Sequence, residues 1–322
     1  MSILVSGAAL AWVLSQLDLS DLARVLTNVK PGFMTLALAA LVTETVLASV
    51  RLRVLLAPRP AAGFADCVKM TSLHGVYLVL LPARIGELAY LLLLNRIARQ
   101  RLGAAVGNLV YQRLSDTVVL AVLFLSTVLL AFMEHARSIV LWFIIAGGSA
   151  AVLACWLSLP RLLTMVSVIC LQWFGRRARL ARTVVLLALQ ASRWSRRIMR
   201  IQVRLSVLAL TFGAWLAAAA TVVCLFHAFN AALDWEQMVL AGIAVQVIGA
   251  IPVYTVGGLG VAEAGLAGVL MAFDVETARA VTLALAVRLA LVLGQVAVLA
   301  LVFPVAAAAG HLAPASGARP GT

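Results

Sequence analysis

Charge is scarce in this sequence, and lysine is scarcer still. Asp, Glu, Lys and Arg make up 11% of the 322 residues, and Lys30 and Lys69 are the only lysines. Soluble domains carry about 25% charged residues, so an ordinary soluble fold is excluded. Cysteine is also sparse. Cys67, Cys155, Cys170 and Cys224 lie in or beside apolar runs without Cys-x-x-Cys or Cys/His spacing, a pattern that supports neither a disulfide frame nor a metal site. No metal, cofactor or catalytic nucleophile set is expected. Acidic residues are missing altogether from His135 to Leu233. The first residues lack the basic segment and small-x-small cleavage site of a signal peptide, so residues 3–17 are read as a short first span.

What is there is apolar. Hydrophobic residues make up 64% of the chain, and the mean hydropathy is +1.08. The expected fold is an all-α polytopic membrane protein. A spanning helix needs about 20 apolar residues, and candidates fall at 3–17, 32–50, 104–132, 138–159, 205–229 and 278–304. Two further apolar regions, 64–95 and 237–272, are interrupted. One breaks at Leu81-Pro-Ala-Arg-Ile-Gly-Glu87, the other at Ile251-Pro-Val-Tyr-Thr-Val-Gly-Gly-Leu-Gly-Val-Ala-Glu263. Such backbone is tolerated at membrane depth only against protein or a wet cavity, so each region is expected to be a re-entrant hairpin of two half-membrane helices.

The net charge of +13 would suggest nucleic acid in a soluble chain. Here basic cytoplasmic loops explain it, and no nucleic-acid partner is expected. Arg51, Arg53 and Arg59, then Arg96, Arg99 and Arg101, then nine arginines in 161–200 mark one side. Segments 18–30, 134–137, 230–236 and 273–279 balance or lack positive charge and mark the other. The positive-inside rule then makes both termini cytoplasmic. It also sends the two hairpins in from opposite sides, giving two repeats of opposite orientation, 1–133 and 134–310. The basic insertion 160–204 puts Arg193, Arg196, Arg197, Arg200 and Arg204 on one helical face, as either an interfacial helix or a topology anchor. Residues 311–322 are expected to be a disordered tail. Spacing agrees with the repeats: Glu87 to Arg113 is 113 − 87 = 26 residues, and Glu263 to Arg288 is 288 − 263 = 25. Inverted repeats with broken helices are a carrier architecture, with the site at the repeat interface.

Ionisable groups at bilayer depth cost roughly 2.5–3.5 kcal/mol each, so they need a partner or a task. Arg84, Arg113 and Arg288 are the candidate anion-binding cations. Gly257, Gly258 and Gly260, with Tyr254 of the same tip, are candidates for close backbone approach to a ligand, beside helix N-termini suited to phosphate. Glu87, Glu263, Asp116 and Glu44 are candidates for gating or proton coupling, with helix capping as the simpler alternative for Glu87 and Glu263. Asp116 lies at i+3 from Arg113 and is expected to pair with it. Glu44 is a further acid within a span, expected to meet Arg84 or Arg113. Arg288 has no acid within one turn and must find its partner on another segment, Glu263 or a ligand phosphate. Gly103/Gly107 and Gly260/Ala264/Gly268 read as helix-packing rows.

Taken together, Pro82-x-Arg84-x-Gly86-Glu87, Arg113-x-x-Asp116 and Pro252 with Gly257-Gly258-x-Gly260-x-x-Glu263 resemble the flippase-like family, also called the lysylphosphatidylglycerol synthase transmembrane-region family. The likeness covers nearly the whole chain. It implies a bacterial inner-membrane protein that moves a lipid across the bilayer: an aminoacylated phospholipid, or a polyisoprenyl-phosphate-linked or hopanoid lipid. The aminoacyl-transferase domain of synthase members has no counterpart in these residues, so lipid synthesis is not carried over. Tyr90 stands where members often carry a basic residue. The expected partners are membrane lipids with anionic head groups, a second copy of the chain and a lipid-synthesis enzyme. Two rival readings are an integral membrane enzyme acting on a lipid-linked substrate and a scaffold for cell-envelope assembly.

Overall fold

The computed structural model describes residues 19–56, 62–80, 85–132, 200–250 and 260–312, with scattered helical positions in 11–16 and 146–194. The described residues form helices and no strand. They are α1 (Leu19–Thr27), α2 (Pro31–Leu56), α3 (Phe64–Leu80), α4 (Ile85–Arg96), α5 (Leu102–Phe132), α6 (Ile201–Ala228), α7 (Trp235–Ala250), α8 (Val261–Met271) and α9 (Thr277–Leu312). Four stretches are long and apolar enough to cross a membrane: Pro31–Leu56, Leu102–Ser126, Ile201–Ala228 and Thr277–Val302. Four of the expected spans are therefore present with shifted ends. The other two, 3–17 and 138–159, fall largely outside the described residues, as does the 311–322 tail.

Local chemistry sets the helix ends. Pro31 opens α2, where its fixed φ and missing N–H cost nothing. Pro58 follows two residues after the helix stops, because a residue before proline is pushed out of the helical region. Both α6 and α8 are followed, two and three residues past their ends, by a non-glycine residue with positive φ, Asn230 at 52° and Asp274 at 61°. The Ala231 N–H then donates to the Phe226 carbonyl at 2.9 Å, and Val275 N–H to Leu270 at 3.2 Å. These bonds satisfy carbonyls that a helix end leaves orphaned.

The two interrupted regions are paired short helices. In the first, α3 has 17 residues and α4 has 12; in the second, α7 has 16 and α8 has 11. At ~1.5 Å per residue none reaches the ~30 Å of a hydrocarbon core. The tips, 81–84 and 251–259, lie outside the described residues. Gly86 shows how closely the first pair packs: a Cβ there would lie 2.7 Å from the Tyr77 carbonyl group.

The centre of the molecule is the pair α2 and α6, which share the most extensive packing. They run antiparallel. Phe33 stacks on His227 with ring centroids 4.8 Å apart, Leu47 reaches Gly213, and Arg51 bonds Thr211. Going up one helix means going down the other. Around this pair, α3 packs on α2 and α4 on α3, with Leu52, Met70, Tyr90 and Leu94 in one buried cluster. Likewise α7, α8 and α9 surround α6, with Phe226, Met238, Leu270 and Val287 in another. The long helices also cross over: α9 packs on α3, and α5 packs on α7.

Two expectations need correction. Residues 51–59 do not form a loop from their first residue, because α2 continues through Arg51 and Arg53 to Leu56. The 160–204 insertion likewise ends early, since α6 already includes 201–204. Of the glycine rows, Gly107 does admit a close neighbour, with Ala191 and Trp194 about it. Gly268, in contrast, has no neighbour within 4 Å of a built Cβ among the described residues.

Candidate functional site

Two charged clusters lie inside the helical body, one beside each pair of short helices. The first draws on four helices. Asp116 of α5 accepts a hydrogen bond from Arg51 of α2 at 2.6 Å and one from the Trp215 indole of α6 at 3.2 Å. Both charged side chains are only 10% exposed. The Arg51 guanidinium also donates to Thr211 at 3.1 Å and to the Gln112 carbonyl oxygen at 3.4 Å. Gln112 in turn donates to Asn108 at 2.6 Å and to the Tyr90 hydroxyl at 3.1 Å. The Tyr90 ring stacks on His74, with centroids 4.2 Å apart.

Arg113 stands at the edge of this network. Its guanidinium lies 3.2 Å from Glu87 on α4 and 3.5 Å from Asp116. Its side chain is 35% exposed, the most open of the group. Two arginines thus balance two carboxylates, and the pairing satisfies groups that would be costly to bury alone.

The second cluster, among the described residues, centres on one acid and one arginine. Glu263, the third residue of α8, accepts the Gly260 N–H at 2.7 Å and closes the first turn from inside. Gly260 has φ 85°, a conformation that a Cβ would oppose. The other carboxylate oxygen lies 3.4 Å from Arg288 Nε on α9, and the Glu263 side chain is 2% exposed. Glu263 therefore caps a helix and faces a cation at the same time.

The structure brings Glu87, Arg113 and Asp116 together, and separately Glu263, Gly260 and Arg288. Arg84, Tyr254, Gly257 and Gly258 lie outside the described residues. The expected Arg113–Asp116 pair exists, but the shorter partner of Asp116 is Arg51. Glu44 does not meet Arg113. It is half-buried on α2, 51 − 44 = 7 residues from Arg51 and hence on the same helical face, and it forms no ion pair among the described residues. Arg51, by charge pattern a loop residue, is instead the central cation of the first cluster. Its signal was there: Arg51-Leu-Arg-Val-Leu-Leu56 stays apolar between its arginines up to Pro58, so the helix had room to continue. Thr211 and Trp215 carried no comparable signal.

No group of three or more His, Cys, Asp or Glu with metal-binding geometry occurs among the described residues. With spans, interrupted helices and buried ion pairs in place, the molecule is a multi-pass helical membrane protein. The chain matches the family described as the lysylphosphatidylglycerol synthase TM region over residues 1–298, and it belongs to that family. No curated protein and no solved structure matches it.

Proposed function

We propose that this protein is a lipid transporter built from two inverted repeats, carrying an anionic, phosphate-bearing lipid across the inner membrane by alternating access. One correspondence carries the reading. Exchange α2 with α6, α3 with α7, α4 with α8 and α5 with α9, and the principal helix contacts map onto one another: α3 on α9 becomes α7 on α5, and α2 on α3 becomes α6 on α7. The helices α2 and α6 exchange places and run antiparallel, as inverted topology requires. In each half the third residue of the second short helix is a glutamate, and it pairs with an arginine of the following long helix.

In this reading Arg113 and Arg288 are held by carboxylates until a lipid phosphate replaces them. A guanidinium can form two parallel bonds to phosphate. Protonation of Glu87 or Glu263 would release its arginine to the ligand, which ties lipid binding to the opening of one mouth and closure of the other. Arg84, Tyr254, Gly257 and Gly258 would complete the sites from the tips. The acyl or isoprenoid chains remain in hydrocarbon along the seam between halves.

The test is transport by the purified full chain in liposomes, with fluorescent phosphatidylglycerol and aminoacylated phosphatidylglycerol placed in one leaflet. Time-dependent exposure to a membrane-impermeant quencher is expected, together with loss of that exposure in Arg288→Ala. Labelled lipid that stays in its leaflet across the panel rejects the transporter reading. A product of changed mass would point instead to an enzyme.

A further inference from the structure

A cavity of about 530 Å³ opens where α1, α2, α6 and α9 meet. This is within the ~300–1,000 Å³ range of small-molecule sites. Its walls are almost wholly carbon: Leu26 and Val29 before α2, Met34 and Leu41 on α2, Leu225 on α6 and Leu293 on α9 are among them. The polar residue in its α6 wall, Thr221, bonds its own helix at Ala217 and asks nothing of an occupant.

The α2 and α6 walls lie within one leaflet. On α2 the lining runs from Met34 to Leu41, and Val29 precedes the helix. From Pro31 to Leu41 is 41 − 31 = 10 residues, a rise of ~15 Å and half of a ~30 Å hydrocarbon core. The α6 wall lies at the matching level, since Thr221 to Phe229 ends that antiparallel helix. Charge is placed at the open end. Lys30 directly follows Val29 of the lining and has an exposed side chain, while its backbone N–H is tied to the Ala228 carbonyl at 2.9 Å. The α9 wall, Leu289 to Ala297, starts one residue after Arg288 and 289 − 277 = 12 residues into its helix, ~18 Å along it, so it closes the slot at the bilayer midplane and continues beyond.

From this geometry we infer that the cavity holds an acyl chain of an anionic phospholipid in one leaflet, with the lipid phosphate beside Lys30 at the surface. The inference rests on the transporter reading for its purpose: a waiting station next to the Arg288 helix, on the external side by the loop-charge rule. As a binding site it stands on the cavity alone. A basic residue near the head-group level favours anionic lipid, and the carbon-lined half-membrane slot suits a single chain.

The experiment uses the full chain in phosphatidylcholine nanodiscs containing phosphatidylglycerol with a diazirine on one acyl chain. After photolysis, adducts should concentrate on peptides 34–41 and 289–297, and fall several-fold in Ala297→Phe and Thr35→Trp, which narrow the slot. Thr35 is exposed, so that variant covers the case where Ala297→Phe does not fold. Lys30→Gln should reduce the preference for phosphatidylglycerol over an equally labelled phosphatidylcholine by about two- to five-fold. Adducts spread evenly over other lipid-facing helices such as 205–212, or unchanged by both filling variants, overturn the site. Labelling that stays selective for the slot with an unchanged lipid preference in Lys30→Gln overturns the head-group assignment. Labelling is read at equilibrium and needs no transport: selective adducts without lipid movement keep the cavity and reject the transporter, while movement without adducts does the reverse.

Discussion

The two charged clusters occupy matching places and are built differently. Beside α4, two arginines and two acids share a polar network that reaches Gln112, Tyr90, Asn108, Thr211 and Trp215. Beside α8, Glu263 faces Arg288, and the carboxylate's remaining bond goes to its own helix start. An ion pair that is cross-linked through several helices resists separation, because each partner would be left buried without compensation. An acid that also caps its own helix can release the arginine and still keep one hydrogen bond. Among the described residues, the first cluster is cross-linked between helices and the carboxylate of the second is tied to its own helix start.

Four substitutions test that contrast, in descending order of effect. Asp116→Ala leaves Arg51 buried without its 2.6 Å partner, and the loss should be about 3–5 kcal/mol, read as a large fall in the melting temperature of the detergent-solubilised chain. A fall no greater than that of a surface alanine would break the comparison at its stronger end. Trp215→Phe removes one donor to the same carboxylate while keeping most of the ring. Its expected cost is about 2 kcal/mol, as for a hydrogen bond to a charged group, and a neutral result would show that the indole contributes packing alone.

Gly260→Ala places a Cβ on a residue with φ 85°, at an expected cost of about 1–2 kcal/mol. Equal stability would mean that the turn before α8 relaxes freely. Glu263→Gln retains an oxygen for the Gly260 N–H and gives up only the charge. Because Arg288 is 21% exposed and partly reachable by water, stability should fall by only about 1 kcal/mol, while lipid movement in liposomes falls tenfold or more. Loss of stability as large as that of Asp116→Ala would erase the difference between the clusters. Unchanged transport would remove Glu263 from the gating role.

Much of the frame was legible from local pattern. Long apolar runs marked four of the helices, and Pro82 and Pro252 with their nearby glycines marked the breaks. The 26- and 25-residue intervals from Glu87 to Arg113 and from Glu263 to Arg288 set the two glutamates and two arginines at matching places, and Glu263 was one of the two partners expected for Arg288, whereas the Glu87–Arg113 pair was not foreseen. Arg51 was not legible in the same way. An arginine at the end of an apolar run reads as a loop charge under any rule that counts loops, and only the continuation of α2 to Leu56 takes it inside. For Glu44 the depth suggested Arg84 or Arg113 as partner; Arg113 is engaged by Glu87 and Asp116 instead, and Arg84 lies outside the described residues.

By itself the sequence determined that this chain lives in a membrane, where its long helices lie and where its short ones must break. Hydropathy, proline and glycine act within a few residues and need no distant neighbour. Only the tertiary structure decided that Asp116 pairs with Arg51, 65 positions away, that Thr211 joins them, 160 positions from Arg51, and that α5 packs on α7 and α9 on α3. Such pairings depend on which helices end up side by side, and that follows from burying apolar faces and compensating buried charge across the whole fold, a balance that no local window of residues contains.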